Sequence, residues 1–389
     1  MMKVATGFEV VREAFPVRWR GRRVAVLCHA PSIAGDFSHI IDYLGNEAPC
    51  ELSAVFGPQH GINGQTQDNM IEWEGFVHPV WKVPVYSLYG EHRKPTAEML
   101  KDIDVLLVDL QDVGCRVYTY VWTLRLCMER CAELGIEVAV LDRPNPIGAM
   151  ASDGAVLDRN YYTFVGMAQI PLCHGMTMGE LALFLQRNEV PECRLTVVGM
   201  LNYNRKMSWA ETGLPWVPPS PNMPTERTGI VYPGAVLIEA LNLSEARGTT
   251  TPFELFGAPF IRARELKKWL DDFGIPGCGF RVHDYIPTFH KFSGRYCEGV
   301  FIHVTDVRQF RPGRAFAAIF RGIIETSGTD ALKFLPPPYE YEDRLIPFDI
   351  LAGDSGLRTA LCAGTPLEDE FARWDDQLEK FTFEHLYDC

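Results

Sequence analysis

The 389-residue chain is longer than one hydrophobic core usually supports, so two domains are expected. Its formal net charge of -13 at pH 7 disfavours nucleic acid or an anionic membrane surface as a partner. No stretch approaches the roughly 18 apolar residues of a membrane span, and the N-terminal segment lacks the apolar core of a secretory signal. We therefore expect a cytoplasmic protein.

Four segments in the first half are predicted to be buried strands, because they are short apolar runs without alternation. Such runs are typical of a parallel sheet that helices cover on both faces. One of the predicted helices ends at Gly135, a residue suited to a left-handed cap. The pattern predicts an α/β fold with a Rossmann-like parallel sheet. The strands span residues 24–29, 52–61, 104–114 and 137–146, and the helices lie near 36–45, 96–102, 118–134 and 178–188.

Polar residues follow each of these strands. Ligands of parallel sheets bind beyond the carboxyl ends of the strands, so these side chains are expected to line one cleft. They are His29, Gln59, His60, Asp109, Gln111, Asp112, Asp142, Arg143 and Asn145. The sequence therefore predicts a site at this edge of the sheet.

The second half begins with a proline-rich segment, residues 214–234, which is predicted to be an ordered connection because proline disfavours helix interiors and central strands. Beyond residue 250, mixed periodicities indicate a second, smaller α/β domain. Helices are expected near 262–273, 312–325 and 366–380, and strands near 279–286 and 297–305. The predicted division is a Rossmann-like domain with most of the cleft (1–215), a connection that contributes to the cleft (216–250) and a smaller C-terminal domain (251–389).

The sequence lacks the usual cofactor motifs. CHAPSIAG (28–35), after the first strand, is not the GxGxxG of a dinucleotide-binding domain, and no GxxxxGK[ST], HExxH or GxSxG occurs. The eleven cysteines are odd in number and irregularly spaced, which is typical of reduced thiols. Cys127 and Cys131 fit buried packing better than zinc binding. We therefore expect neither a cofactor nor a metal.

What remains is a set of carboxylates and amides, which suits acid and base chemistry on a polar, neutral substrate such as a sugar. Seven motifs in one order, and the tail segments FDILAGDSGLR (348–358) and HLYDC, resemble the DUF1343 family, which includes the exo-β-N-acetylmuramidases of the NamZ type. The motifs are GPQHGINGQTQDNM (57–70), VYSLYGEHRKPT (85–96), DVLLVDLQDVGCRVYTYVWT (104–123), LDRPNPIG (141–148), HGMTMGELA (174–182), WVPPSPNMPT (216–225) and SEARGTTTPFELFGAP (244–259).

The resemblance runs from about residue 22 to the end of the chain. It implies a Rossmann-like N-terminal domain with a smaller α/β domain behind it. It also implies a glycoside hydrolase that removes terminal N-acetylmuramic acid from the non-reducing end of peptidoglycan fragments. The expected partner is thus a sugar or muropeptide, and the oligomeric state stays open.

One position departs from the family pattern. Where the muramidase branch has Glu followed by His, with that Glu associated with catalysis, this chain has Gln59. An amide cannot usefully exchange a proton near neutral pH. Either the acid has moved, with Glu72 and Glu91 as the nearest candidates and Asp112 and Glu180 next, or the activity is altered or lost. Glu180 also fits a capping box with Thr177, three residues earlier.

The candidate substrate-binding residues come from the same motifs. Their arginines suit the lactyl carboxylate of muramic acid, because a guanidinium can bind a carboxylate through two hydrogen bonds, although surface positions would also explain them. The asparagines beside prolines can instead shape turns, and each histidine can instead hold the backbone. The candidates are Gln59, His60, Arg116, Tyr118, Asp142, Arg143, Asn145, His174, Asn222 and Arg247.

Three functions remain open from the sequence. The first is a glycosidase of the muramidase type, which needs a general acid and a second carboxylate. The second is an amino-sugar-binding protein that keeps the pocket without the acid, for which Gln59 is the argument. The third is a nucleotide-dependent enzyme built on the Rossmann-like sheet, which the missing glycine motif disfavours.

Overall fold

The computed structural model describes residues 3–67 and 71–388, so the last three residues of the 57–70 motif and the closing Cys389 lie outside the described residues. The described chain folds around a seven-stranded sheet in the order β3-β4-β2-β1-β5-β6-β9, with two smaller sheets, β7-β8 and β10-β12-β11. The strands are β1 (Arg23–Cys28), β2 (Glu51–Gly57), β3 (Phe76–Val77), β4 (Pro84–Ser87), β5 (Val105–Asp109), β6 (Glu137–Leu141), β7 (Asp153–Val156), β8 (Pro171–Cys173), β9 (Arg194–Val198), β10 (Leu255–Ala258), β11 (Cys278–Val282) and β12 (Glu298–Val304).

The central sheet is parallel except for the short pair β3 and β4. Its strands β1 and β5 are buried along nearly their whole length, which explains their continuous apolar sequence. The three-stranded sheet is antiparallel. The predicted α/β class with a Rossmann-like sheet and a smaller second α/β part is therefore confirmed. The domain boundaries stay a prediction.

The helices cover both parts of the fold. The third one ends at Gly135, whose φ of 69° is left-handed, as its sequence indicated. The helices are α1 (Gly7–Glu13), α2 (Ile40–Asn46), α3 (Tyr120–Leu134), α4 (Met178–Asn188), α5 (Trp209–Thr212), α6 (Glu226–Ala235), α7 (Ala263–Phe273), α8 (Pro312–Ser327), α9 (Pro347–Ala352), α10 (Gly356–Ala363) and α11 (Leu367–Lys380).

Two predictions about local structure were wrong. Residues 96–102 form mainly turns rather than a helix. The proline-rich segment is not a connection throughout, because helix α6 begins at Glu226 and includes Pro233. Pro233 lies near the end of the helix, where a missing N–H removes one hydrogen bond, and a 3₁₀ turn over Val236–Ala240 continues the chain. The predicted strands also end earlier, since their polar tails form turns.

Two further observations concern the chain as far as it is described. Its cysteines are free thiols, most of them buried. None of its described helices is long and apolar enough to cross a lipid bilayer.

Candidate active site

A pocket beyond the carboxyl end of β2 brings together residues from distant parts of the chain. We call it the central pocket. It lies between the turn after β2, the turn before α3, the segment around α6 and a late segment at residues 339–340. It is lined by Gln59, His60, Val117, Tyr118, Thr119, Val165, Ser220, Asn222, Met223, Tyr232, Glu239, Arg247, Phe253, Tyr339 and Glu340.

Gln59 and His60 present the turn after β2 to the central pocket. The Oε1 atom of Gln59 accepts a hydrogen bond of 2.7 Å from the Thr119 hydroxyl. His60 has a φ of 70° and places Nδ1 2.7 Å from the carbonyl oxygen of Thr66. Because a carbonyl only accepts, Nδ1 donates in this bond. Both residues thus line the central pocket, and their role in substrate binding stays a prediction.

Aromatic side chains form one wall of the central pocket. The rings of Tyr118 and Tyr232 meet edge to face at 5.7 Å between centroids, and Tyr232 meets Phe253 in the same way at 4.9 Å. Tyr120 packs behind Tyr118 at 4.7 Å and donates its hydroxyl to the carbonyl oxygen of Pro219 at 2.5 Å. These ring contacts give that side of the pocket a largely apolar, aromatic surface.

Asn222 closes another side of the central pocket. Its Nδ2 atom donates to the carbonyl oxygen of Gln67 at 2.8 Å, and the Gln67 side chain donates back at 3.4 Å. These bonds join the turn after β2 to the proline-rich segment. Asn222 therefore shapes the backbone, as one interpretation of the sequence held. It also lines the central pocket.

The first carboxylate of the central pocket is Glu239, on the 3₁₀ turn after α6. It accepts hydrogen bonds from Arg247 Nη2 at 2.8 Å and from the Tyr339 hydroxyl at 2.7 Å. Arg247 also donates from Nη1 to buried Glu245 at 2.8 Å. Although burial opposes ionisation of Glu245, Lys291, His290 and Arg247 hold its pKa well below the usual range. Arg247 is thus fixed at the pocket by two acidic groups.

The second carboxylate is Glu340, which sequence reasoning missed. It is only 4% exposed and its Oε2 atom accepts a hydrogen bond of 3.0 Å from the Tyr89 hydroxyl. Burial raises the pKa of Glu340 to about 7, and the nearby charge of Glu239 adds to the rise. It follows a proline-rich stretch without periodicity, so the sequence holds no motif that could have identified it.

Asp112, Asn145 and His174 lie together outside the central pocket, in the protein interior. Asp112 Oδ2 accepts from the Gly114 amide at 2.6 Å and from Asn145 Nδ2 at 3.4 Å, and His174 Nε2 lies 3.8 Å away. Burial raises the pKa of Asp112 to about 7 and lowers that of His174 to about 3. Burial thus favours the uncharged form of both groups, and none of the three residues lines the central pocket.

Asp142 and Glu180 hold the start of helix α4. Asp142 accepts from the Gly179 amide at 2.8 Å, the Thr177 hydroxyl at 2.7 Å and the Tyr387 hydroxyl at 2.6 Å. Burial raises the pKa of Asp142 to about 6. Thr177 and Glu180 form the predicted capping box. Glu180 thus caps the helix, which was the structural alternative for this residue. Both carboxylates lie away from the central pocket.

Two of the three arginines expected beside the substrate, Arg116 and Arg143, are buried outside the central pocket. Arg116 donates to the carbonyl oxygens of Ala155 at 3.0 Å, Ile170 at 3.3 Å and Leu351 at 2.7 Å. Arg143 forms an ion pair with Asp109, with Nη2 3.0 Å from Oδ2. Since these side chains satisfy buried groups, the expectation that they contact a substrate carboxylate is not supported by their positions.

Glu72 and Glu91, the nearest candidates for a relocated acid, lie at the surface around a separate cavity. The Glu91 side chain is 88% exposed. Glu72 accepts a hydrogen bond of 3.0 Å from the Tyr341 hydroxyl. The geometry therefore does not bring either carboxylate into the central pocket, and their sequence proximity to Gln59 was misleading.

The structure bears on two sequence predictions, the one about metal ligands and the one about which residues line the site. Within residues 3–67 and 71–388, no three His, Cys, Asp or Glu side chains gather in a metal-binding arrangement. Of the predicted site residues, the central pocket receives Gln59, His60, Tyr118, Asn222 and Arg247.

The chain was compared with known proteins. Two family models match it, the N-terminal part of the exo-beta-N-acetylmuramidase NamZ over residues 24–227 and the C-terminal part over residues 230–385. It is 40% identical over 380 residues to the peptidoglycan beta-N-acetylmuramidase NamZ of Bacillus subtilis strain 168, covering 98% of this chain and 89% of that one.

Solved structures agree with the fold. A DUF1343 family protein from Bacteroides fragilis is 31% identical and superposes with a TM-score of 0.85, covering 100% of both chains. A second DUF1343 family protein from the same organism is 29% identical with a TM-score of 0.71, covering 97% of this chain and 96% of that one.

Proposed function

The chain belongs to the exo-β-N-acetylmuramidase NamZ family, and on that premise we propose that it removes terminal N-acetylmuramic acid from peptidoglycan fragments held in the central pocket. The family fixes the reaction class as glycoside hydrolysis on peptidoglycan. The substrate is thus a small sugar or muropeptide. The cytoplasmic location expected from the sequence stays a prediction.

One observation from the structure carries the proposal. The described lining of the central pocket contributes two carboxyl groups, Glu239 and Glu340. Glu239 accepts a hydrogen bond from Arg247, whereas buried Glu340 accepts one from Tyr89. Glycosidases of this kind need one protonated and one ionised carboxyl group flanking the scissile bond. Glu239, which accepts from Arg247 and Tyr339, suits the ionised role, as the base that activates water or as the nucleophile.

The remaining lining residues suit sugar recognition. Gln59, His60 and Asn222 bring polar groups to the pocket, and Tyr118 offers an aromatic face. Arg247 also lines the pocket and, although Glu239 and Glu245 hold its two terminal nitrogens, it places a positive charge there that favours the lactyl carboxylate of muramic acid. We therefore expect the pocket to bind N-acetylmuramic acid more tightly than N-acetylglucosamine.

The test is hydrolysis of a disaccharide with N-acetylmuramic acid at its non-reducing end, followed by chromatography of the released sugars. We expect the wild type to release free N-acetylmuramic acid and to leave the corresponding N-acetylglucosamine disaccharide intact. Glu239→Gln is expected to lower kcat by a factor of about 10² to 10⁴. Glu91→Gln, at the exposed surface, is the control and should keep wild-type rates.

A negative result would have a defined meaning. If the wild type binds N-acetylmuramic acid by calorimetry but releases none from any muramide, the protein is a sugar-binding member of the family. Gln59 in place of the family's Glu is the observation behind that alternative.

A further inference from the structure

The reaction requires a proton donor that the turn after β2 does not provide. Gln59 stands at the centre of that turn, and its amide cannot donate a proton to a leaving oxygen. Its Oε1 atom is engaged by the Thr119 hydroxyl, so Gln59 serves as an oriented polar group of the pocket. A carboxyl group must enter the central pocket from another segment of the chain.

The late segment Tyr339–Glu342 supplies such a group. Glu340 lines the central pocket together with Gln59 and Glu239, although 281 positions separate it from Gln59 in the sequence (340 − 59). We infer that Glu340 is the general acid of the glycosidase reaction, taking over the task that Gln59 cannot perform. This assignment rests on the muramidase function proposed above.

The segment is anchored on both sides of Glu340. The Tyr339 hydroxyl donates to Glu239, and Glu340 itself accepts from Tyr89. The Tyr341 ring lies against the guanidinium of Arg93 at 3.7 Å. These contacts join residues 339–341 to two separate parts of the fold, the 3₁₀ turn after α6 and the segment after β4. They fix the Glu340 carboxyl group instead of leaving it on a loose loop.

The backbone of the segment is held in an unusual conformation. Glu340 and Tyr341 have φ values of 44° and 68°, in the left-handed region that disfavours residues with a Cβ atom. The turn is closed by reciprocal backbone hydrogen bonds of 2.9 Å between Tyr339 and Glu342. The tertiary contacts therefore maintain a strained turn whose consequence is the inward position of the Glu340 side chain.

The charges around Glu340 suit proton donation near neutral pH. Glu239 acts on it from the 3₁₀ turn, Tyr89 donates to Oε2, and the charges of Arg93, in the same segment as Tyr89, and of Arg247 also act on it. Burial and the charge of Glu239 favour the protonated form of Glu340, whereas Tyr89 and the two arginines favour the ionised form. The first effects are stronger, so the pKa of Glu340 rises to about 7.

The step balances without a further reactant. As the bond between the anomeric carbon and the glycosidic oxygen breaks, its electron pair stays on that oxygen, which takes the proton of Glu340. Water then adds to the anomeric carbon, directly or through an intermediate on the second carboxylate, and its released proton restores Glu340 through solvent. The products are two sugars, each with a hydroxyl group.

The experiment compares two substrates that differ only in their leaving group. The first is a muramyl disaccharide, whose sugar leaving group needs a proton, and the second is the 4-nitrophenyl muramide, whose phenolate departs without one. Glu340→Gln should lower kcat on the disaccharide by a factor of about 10² to 10⁴ and on the 4-nitrophenyl substrate by less than about tenfold. Glu239→Gln should reduce both rates.

Controls separate catalysis from folding. Asp343→Asn changes a side chain of the next turn that is 85% exposed, and it should keep wild-type rates on both substrates. Glu340→Gln should bind N-acetylmuramic acid within about threefold of the wild type, which shows a folded pocket. The wild-type kcat/KM on the disaccharide should fall as pH rises through about 7, whereas this fall should be absent for Glu340→Gln on the 4-nitrophenyl substrate.

Three results would overturn the assignment. One is a Glu340→Gln variant that keeps full activity on the disaccharide while the wild type is active. Another is an equal loss on both substrates, which would place Glu340 outside the proton-transfer step. The third is a wild type that is inert while Gln59→Glu is active. A wild type and Gln59→Glu that are both inert would instead refute the proposed function itself, and the assignment with it.

Discussion

Replacing the buried Asp112 by Asn should stabilise the protein at alkaline pH. Asp112 is 3% exposed, and its Oδ1 atom has no hydrogen-bond partner within the described structure. Its pKa of about 7 shows that burial disfavours the ionised form. Asn has nearly the same shape without the charge, and its Oδ1 atom can still accept from the Gly114 amide, so the Asp112→Asn variant should resemble the protonated wild type.

The sign and size follow from linkage. The pKa of Asp112 is raised in the folded state, from the usual 3.8 to about 7. The stability that the protonated carboxyl contributes is therefore complete below pH 3.8 and is lost as pH rises to about 7. Between pH 5 and pH 8 the wild type loses about 3 kcal/mol through this group, because about two pKa units lie between pH 5 and the folded pKa.

The measurement is urea unfolding of wild type and Asp112→Asn at pH 5 and pH 8. The difference between their unfolding free energies isolates Asp112, because Glu340 and Asp142, whose pKa values are also raised, titrate in both proteins. The difference between the unfolding free energies of wild type and Asp343→Asn, a surface substitution, should be the same at both pH values. If the advantage of Asn does not grow between the two pH values, Asp112 is not desolvated as the structure describes.

Two other substitutions test residues that the sequence had placed beside the substrate or left ambiguous. Arg116→Met removes three hydrogen bonds to buried carbonyl oxygens and should lower the unfolding free energy by about 3 kcal/mol or more, measured in urea; an unchanged midpoint would contradict this role. Thr177→Ala removes the cap of helix α4 and should cost about 1 kcal/mol in the same assay, and a loss below about 0.3 kcal/mol would mean that the capping box adds nothing.

The sequence predicted the fold well because the signals were local. Continuous apolar runs identified β1, β2, β5 and β6, and the polar residues after β2 did reach the site. Helix α4 was predicted with its observed ends, since Thr177 and the following turn carry a clear start signal. Helix α6 was missed, because prolines were taken to exclude a helix whose final turns tolerate one.

The site was predicted less completely, for a physical reason. The rule that polar residues gather at the carboxyl ends of parallel strands does not distinguish residues that face a ligand from those that support the turns. Asp142 and Arg143 belong to the second kind, since their hydrogen-bonding groups are used within the protein. That division depends on side-chain partners from distant segments, such as Tyr387, which no local pattern contains.

Gln59, where the family resemblance implies Glu, shows how such a division misleads an argument from sequence proximity. The search for a replacement acid turned to Glu72 and Glu91 because they follow Gln59 closely in the chain. Proximity along a surface loop does not desolvate a carboxyl group, whereas Glu340, far away in sequence, is buried by Tyr89 and the walls of the pocket. A general acid needs a buried carboxyl group more than it needs a particular position in the sequence. A family can therefore lose the acidic residue at one wall of a pocket and keep the chemistry if another wall supplies a buried carboxyl group.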